Sequence, residues 1–524
     1  MRLVRWTLRR AQVLRRPAGM LDATAVRRAV TANAPDHLWP RWLFLRALAL
    51  IFISAFYSFA LQIHGLIGEH GILPAVRYLA DIAGSVPVPQ RFWYAPSLLW
   101  IGAGDRALTL VVGCGLVFSV LLTLNILPRL SVAAATVLFL SCIAALQDYS
   151  SYQSDGMLLE AGFISIFFAP RGLRPGTGRV DPPSRISLFM LQWEWFRIYF
   201  ESGVAKLASG DVHWRNLTAM DEYYQNGPLP AWPGWYVEHL PHDFHAATAA
   251  LTLIIELAIV WALFLPRRFR VACCAIVTAL QIGIIATANY AFLNYLVLVL
   301  GVLLLDDQVL ARAGFPIDAA PAGEMVRTDG WRRWAEAAVL GWVFYTTLAV
   351  FLTPQSSNPL LAPARWLGPF RIANPYGLFA TMTDARYEIE FQGSADGGKT
   401  WIAYPFQYKP QAVAERPGIY APYQPRFEWN LWFASLGPWR ESSWVVLAQE
   451  RLIEGSPSVL KLFRNDPFRG APPSQVRTVL WQYWFTDAAT KRRTGAWWRR
   501  QELGLFAGVL TKTSDGRFTL SDSP

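Results

Sequence analysis

Residues 147–168 read QDYSSYQSDGMLLEAGFISIFF, a polar and aromatic stretch that leads into a short apolar run. The run from 157 to 168 has the composition of a membrane helix, although spanning a bilayer takes about 20 residues. It contains Glu160, and Asp155 stands just before it. An ionisable group inside a membrane costs roughly a few kcal/mol unless it is paired or hydrated, so both acids require a partner or a role.

Composition indicates that this stretch belongs to an integral membrane protein. The 524 residues are 53% apolar and only 16% charged, whereas soluble proteins average about 25% charged residues. The pattern is typical of a polytopic α-helical membrane protein. Further apolar runs of about spanning length occupy residues 43–63, 107–127, 130–146, 270–288 and 290–305.

Much of the basic charge lies ahead of the first apolar run. The formal net charge is +11, and the early arginines are Arg2, Arg5, Arg9, Arg10, Arg15, Arg16, Arg27 and Arg28. Basic residues beside membrane segments favour the cytoplasmic side, so residues 1–41 are predicted to be a cytoplasmic arm. This placement argues against nucleic acid as a partner. The first apolar run is full length, which predicts an anchor rather than a cleaved signal peptide.

Arginines that follow the apolar runs predict the direction of each crossing. Arg171, Arg174, Arg179 and Arg185 follow the 157–168 run, which must then return to the cytoplasm. Residues 42–353 are therefore predicted to form a membrane domain of eight or nine spans, with the rest of the chain outside. The nine runs are 43–63, 107–127, 130–146, 157–168, 186–207, 246–265, 270–288, 290–305 and 335–353.

The pattern changes in the last third of the chain. Residues 386–392 alternate apolar and polar side chains, 401–406 and 476–485 are rich in β-branched and aromatic residues, and 443–454 have helical spacing that stops at Gly455. These features predict an extracytoplasmic α+β domain with an antiparallel sheet over residues 384–524. Residues 354–383, rich in proline, are predicted to be a linker.

Familiar catalytic and metal-binding motifs are largely missing from the sequence. It has no phosphate-binding glycine loop, HExxH, GxSxG or CxxC, and no cofactor is predicted. The segment SADGGKTW, residues 394–401, matches the Asp-box pattern, and a single copy predicts a structural hairpin. His239, His242 and His245 form a weak candidate metal site, because the loop offers no strong ligand geometry.

The run at 186–207 carries four ionisable residues. Spacings of three and four place Glu194, Arg197 and Glu201 on one helical stripe. Lys206 lies on the opposite face, about 180° from Arg197 at 100° per residue. Two interpretations stay open for the stripe: a paired polar seam between helices, or the lining of a functional cavity. Lys206 has two alternatives of its own, an interfacial ammonium or a neutral base.

Several long segments together resemble the lipase maturation factor family. They are GLIGEHGILPA (65–75), YQSDGMLLEAGF (152–163), WRNLTAMDEYYQNGPLP (214–230), TANYAFLNYL (287–296), the strand pair at 387–410 and APYQPRFEWNLWFASLG (421–437). Within these segments, Trp214, Arg215, Asn289, Tyr290 and Asn294 are the residues taken as the family motif. Ser154 departs from the pattern, in which a tryptophan is expected.

The resemblance implies a membrane-bound folding or assembly factor without a catalytic site. Its partners would be exported client proteins, with lipases as the implied clients, together with membrane lipids. In animals the family lies in the endoplasmic reticulum with the C-terminal domain in the lumen. The arginine-rich, lysine-poor composition here favours a bacterial inner membrane with the C-terminal domain in the periplasm.

A shorter segment, YFESGVAKLASGDVHW (199–214), is similar to a helix end in the vitamin K-dependent carboxylase superfamily. That resemblance implies an alternative function, an integral-membrane enzyme acting on a quinone-like or lipid substrate with Lys206 as base. A transporter is a third alternative, supported only by intramembrane charge.

The two acids of the opening stretch receive separate predicted roles. Asp155 precedes the apolar run and is predicted to cap a helix that starts near 156 or 157. Glu160 lies one turn inside that helix and is predicted to pair with Arg197. Together with Glu194 and Glu201, these residues form the predicted polar cluster of the membrane domain.

Overall fold

A computed structural model describes residues 30, 32–150, 152–316, 330–352, 359–513 and 515–521. Of the predicted basic arm, the arginines from Arg2 to Arg28 lie outside these ranges, as do residues 354–358 of the predicted linker.

Apolar sequence forms a helical bundle in the first two thirds of the chain. The described bundle helices of at least nine residues are α1 Leu38–Ile67, α2 Ala75–Ser85, α3 Asp105–Thr123, α4 Pro128–Ile143, α5 Gln153–Phe168, α6 Arg185–Ala208, α7 His242–Leu257 with the 3₁₀ turn Ile259–Phe264, α8 Arg267–Thr287, α9 Leu293–Gly301 with Val302–Leu304, and α10 Gly330–Leu352. Within the described ranges, five are long and apolar enough, by length and composition, to cross a membrane: α1, α3, α7 with its extension, α8 and α10. The shorter apolar helices α4 and α9 pack with them.

Helix α5 contains the short run of the opening stretch and lies inside the bundle. It packs against α1, α4 and α6, and nearly all of its side chains are buried, as expected for a helix that is apolar around its circumference. Gly162 permits this packing, because a side chain there would meet Thr136 of α4 and Phe52 of α1. The helix begins at Gln153, earlier than the apolar run alone predicts.

The remainder of the described chain contains an antiparallel sheet, as predicted. The strand order is β2-β1-β3-β4-β5, with Ile389 opposite Leu480 and Phe485 opposite Trp498. Helices α11 and α12 pack against this sheet. Their bounds are β1 Arg386–Ser394, β2 Ile402–Ala403, α11 Arg426–Ala434, α12 Trp444–Ile453, β3 Gln475–Phe485, β4 Trp498–Lys512 and β5 Phe518–Ser521.

The Asp-box segment forms the turn between β1 and β2, in agreement with its predicted structural role. The Asp396 carboxylate accepts from the Thr400 amide at 2.9 Å and lies 2.8 Å from the Ser394 hydroxyl. These hydrogen bonds lower the pKa of Asp396 to about 2. The predicted strand 401–406 is shorter than expected, since Pro405 has no amide hydrogen to continue the ladder.

The two ends of the bundle differ in chemistry. At one end, the arginine end, residues at the starts of helices bind loops: Arg129 binds Ala169 O, Arg267 binds Asp306 and Arg333 binds Asn33. At the other, the sheet end, bundle residues bind the C-terminal region: Gln62 contacts Gln424 O at 2.9 Å, Asn289 contacts Gly418 O at 3.0 Å and Trp235 contacts Thr486 O at 2.9 Å.

Candidate functional site

Residues 372–383, hereafter the connecting segment, run along helix α6 toward strand β1. The segment forms no helix or strand, so its backbone polar groups need partners elsewhere. Glu201 accepts from the Tyr376 amide at 2.8 Å, and Ser202 accepts from the Leu378 amide at 3.2 Å. Polar side chains of a membrane helix thus replace the partners that a neighbouring strand would provide.

The predicted pair of Glu160 and Arg197 lies at the start of this contact. The Arg197 guanidinium binds the Glu160 carboxylate and donates to the Asn374 carbonyl at 2.7 Å. Glu160 also accepts from the Tyr376 hydroxyl at 2.9 Å and from the Asn374 amide at 3.2 Å. Both charged side chains are buried. Glu160 is therefore held by donors from α6 and from the connecting segment together.

Glu201 and Glu194 complete the stripe on α6 in different ways. Glu201 lies 3.9 Å from Arg197 and binds the connecting segment. Glu194 is fully buried beside the Ala161 backbone and makes no ion pair among the described residues. The stripe therefore combines a paired seam with one buried carboxyl group that has no cation as a direct partner in the described part of the chain.

Asp155 binds an arginine of the C-terminal region rather than capping its own helix. The Arg426 guanidinium donates to the two Asp155 oxygens at 2.7 and 2.6 Å, and both side chains are fully buried. Helix α5 begins before Asp155, and its N-cap residue, Tyr152, makes no side-chain cap. The predicted cap is wrong because a bidentate guanidinium satisfies a buried carboxylate better than exposed amides would.

Aromatic rings enclose the Arg426 guanidinium. It lies 4.7 Å from the centre of the Phe59 ring and 5.3 Å from that of Tyr152, and it donates to the Tyr149 carbonyl at 3.0 Å. Helices α1 and α5 and the turn before α5 thus all contribute to its site. Sequence patterns did not predict this contact, although Arg426 is a single cation in an aromatic stretch, FEWNLWF, that otherwise reads as core.

Lys206 makes the next contact along α6. Its ammonium donates to Glu256 of α7 at 2.9 Å and to the Leu378 carbonyl at 2.9 Å. A largely apolar cavity of about 270 Å³ borders this pair and is also lined by Tyr199 and Gln281. Lys206 is buried among protein groups, so it does not extend to a lipid interface.

Four of the five family-motif residues are buried at the sheet end. Asn289 accepts from the Tyr420 amide at 2.7 Å, and the Trp214 indole donates to the Phe379 carbonyl at 2.9 Å. The Tyr290 ring packs on Phe379, and Asn294 donates to Gln281 at 2.7 Å. Arg215 is exposed. Trp214, Asn289 and Tyr290 thus hold the connecting segment or the loop before Arg426 against the bundle, whereas Asn294 joins two helices within it.

The three histidines of the weak metal candidate do not converge. His239 Nδ1 lies 2.7 Å from the Trp235 carbonyl, His242 lies beside Asp221, and His245 packs against the Tyr224 ring. Across the described ranges there is no group of three or more His, Cys, Asp or Glu side chains placed to hold a metal ion.

Comparisons with known proteins match both regions that these contacts join. Residues 39–312 match the family model for the lipase maturation factor transmembrane domain, and residues 372–507 match that for the lipase maturation factor C-terminal domain. The chain belongs to the lipase maturation factor family. The second match starts at residue 372, so the connecting segment belongs with the C-terminal region in sequence, although its polar contacts are with the bundle.

Relatives in vertebrates are similar over most of their length. Lipase maturation factor 2 of Homo sapiens is 30% identical, with 88% of this chain and 81% of the human protein aligned. Lipase maturation factor 1 of Bos taurus is also 30% identical, over 92% of this chain and 91% of the bovine protein. No solved structure matches. The names of these relatives do not support the alternative of an enzyme based on Lys206.

Glu160→Gln should destabilise the protein strongly. Removing the closer partner of a buried ion pair leaves Arg197 with only the more distant Glu201, at 3.9 Å, and costs about 3–5 kcal/mol. We expect a matching fall in the thermal unfolding transition of the detergent-solubilised chain. Glu194→Gln is the matched control on the same buried stripe: Glu194 makes no ion pair among the described residues, and glutamine keeps an oxygen for the Ala161 amide, so it should cost less than about 1 kcal/mol. Equal stability of the two variants would contradict the assigned pairing.

Asp155 and Arg426 should show strong thermodynamic coupling. Asp155→Asn and Arg426→Gln each leave one buried group unpaired and should each cost about 3–5 kcal/mol. The double variant Asp155→Asn/Arg426→Gln removes both charges together and should cost clearly less than the sum of the two single costs. Additive costs across this cycle, measured by thermal unfolding, would show that the two residues do not stabilise each other.

Glu238, in the short helix Trp232–Glu238 that precedes α7, should make stability depend on pH. Burial, aided by the nearby Glu222, raises the pKa of Glu238 from 4.5 to about 9. Between pH 4.5 and about 9, the folded state holds a proton that the unfolded state releases, so the free energy of unfolding should fall as pH rises through this range. The unfolding temperature should therefore decrease with pH over the same range, and Glu238→Gln should weaken that decrease. An unchanged slope in the variant would exclude Glu238 as its source.

Proposed function

We propose that this protein is a membrane-bound maturation factor that assists the folding and assembly of exported proteins, with lipases as clients. Relatives named lipase maturation factors 1 and 2 are similar over most of the chain. The observation that carries the proposal is the buried attachment of the C-terminal sheet to the bundle through Asp155 and Arg426. A platform for client chains needs a surface held rigidly at the membrane, and this contact supplies it.

The proposed topology has nine crossings with the N-terminus in the cytoplasm. Within the described ranges, α1 and α3–α10 run alternately between the arginine end and the sheet end. Helices α5 and α6 are not among the five that qualify by length and composition, but Glu160 of α5 pairs with Arg197 of α6 inside the bundle. Arginines favour the cytoplasmic side, which puts the sheet end in the periplasm of a bacterium or the lumen of the endoplasmic reticulum.

An aromatic groove at the sheet end is the proposed client surface. Residues 86–94 and 362–369 border an open cavity of about 890 Å³ lined by Phe92, Trp93, Tyr94 and Trp366. Trp93 packs against Trp366 and Phe370, and Trp366 stays 59% exposed. Large exposed apolar patches mark interaction sites, and a partly folded client exposes apolar segments of its own. The groove lies immediately before the connecting segment, so the same buried contacts hold it in place.

Substitutions in the groove provide the test. Trp93→Ser/Trp366→Ser should reduce crosslinking of the full chain to a co-expressed exported lipase and lower the yield of active lipase several-fold. Trp331→Ser is the matched control, because Trp331 is 68% exposed at the opposite, arginine end. Deleting the C-terminal region is a poorer test, since it would leave Asp155 buried without Arg426.

Two outcomes would count against the proposal. If the groove variant and the Trp331 control capture and mature the lipase equally well, the groove is not the client surface. If wild type neither crosslinks to the lipase nor raises its active yield, the maturation function itself is wrong for this client.

A further inference from the structure

A third cavity, of about 220 Å³, lies at the arginine end between the starts of α1, α4, α6 and α10 and the loop after α5. Five arginines line it: Arg41, Arg129, Arg171, Arg332 and Arg333. Two carboxylates, Asp181 and Glu336, line it as well, so the formal charge of the lining side chains is +3. Neither the proposed client surface nor the contacts with the C-terminal region use this cavity.

Both carboxylates already have partners. Asp181 accepts from the Arg171 backbone amide at 3.0 Å. Glu336 binds Arg333 at 3.3 Å and accepts from the Ser184 hydroxyl. Glu336 thus pairs with Arg333, and Asp181 binds a backbone amide.

Backbone carbonyls hold two of these arginines in fixed positions. The guanidinium of Arg41, which is 1% exposed, donates to the carbonyls of Asp181 at 2.7 Å and of Thr177 and Gly178 at 2.9 Å each. Arg129 donates twice to the Ala169 carbonyl. Carbonyls orient a guanidinium without cancelling its charge, so these side chains favour an anion nearby. Phosphate oxygens suit the planar donors of arginine.

Neighbouring exposed side chains place the cavity at the depth of lipid headgroups. Trp331 and Trp334, at the start of α10, are 68% and 48% exposed, and Leu130, next to Arg129, is 55% exposed. Tryptophans concentrate at the membrane interface. In the topology proposed above, this end faces the cytoplasmic leaflet, which carries anionic lipids, and basic pockets between helices on that side suit their headgroups.

We propose that this cavity binds the phosphate of an anionic phospholipid headgroup. Arg41 and Arg129 provide fixed positive charge at the back of the site, and Arg171 approaches the phosphate from the loop after α5. Since α1, α4 and α10 all border the cavity, a bound headgroup would join helices whose own contacts there are mostly through loops.

Nanodiscs test the proposal on the full chain. Wild type in phosphatidylcholine with phosphatidylglycerol should retain phosphatidylglycerol in native mass spectrometry and unfold at a higher temperature than in phosphatidylcholine alone. Each arginine near a membrane surface contributes about fivefold to anionic lipid binding, so Arg171→Gln should lose about fivefold and Arg129→Gln/Arg171→Gln about 25-fold. Arg179→Gln is the matched control, because Arg179 is exposed in the same loop and does not line the cavity.

The unfolding temperature in phosphatidylcholine alone shows whether each variant folds. Arg171→Gln should unfold there at the same temperature as wild type, because the Arg171 side chain makes no ion pair or hydrogen bond to other described residues. Equal losses in Arg171→Gln and Arg179→Gln would overturn the proposal in favour of diffuse surface attraction. If inorganic phosphate at matched ionic strength displaces phosphatidylglycerol and gives the full stabilisation without lipid, the ligand is a soluble phosphate and the lipid assignment is wrong.

Discussion

The structure depends on satisfying two carboxylates, Asp155 and Glu160, inside an apolar bundle. An unpaired charge there would cost more than most single contacts contribute, so the rest of the chain must deliver donors to both. Glu160 receives Arg197 from a neighbouring helix, together with Asn374 and Tyr376 from the connecting segment. Asp155 receives Arg426, 271 residues further along the chain. The C-terminal region thus supplies the hydrogen-bond donors that Asp155 of α5 would otherwise need from water.

This dependence changes the meaning of the predicted linker. A proline-rich stretch between a membrane domain and a sheet domain ordinarily suggests two bodies with free relative motion. Here the connecting segment is bound by three side chains of α6, Arg197, Glu201 and Lys206. Arg197 and Lys206 also pair with Glu160 and Glu256, so the same charges join neighbouring helices and bind the backbone of the segment. The domain boundaries remain proposals, but residues 372–383 work as part of the contact itself.

Local patterns predicted the features that local physics controls. Each apolar run corresponds to a helix, and the alternation at 386–392 corresponds to strand β1. Both could be predicted because the hydrophobic pattern of a helix or strand depends only on residues that are close in sequence. The pairing of Glu160 with Arg197 followed because both had to avoid lipid. Arg426 could not be predicted as the partner of Asp155, since no pattern links positions so far apart. Strand β4 was missed because its first half, WRRQELG, is largely exposed and shows no alternation, and its register against β3 is interrupted.

The buried motif residues of this family member have a structural role and do not contact clients. Trp214, Asn289 and Tyr290 are buried, and they contact the connecting segment or the loop before α11. A buried indole or amide cannot touch a client, so these residues serve maturation only by fixing the position of the surfaces that do. In the function proposed here, recognition is assigned to exposed groups such as the Trp366 ring. Long, unusual sequence motifs therefore identify how this protein is assembled, while its client contacts are to be sought outside them.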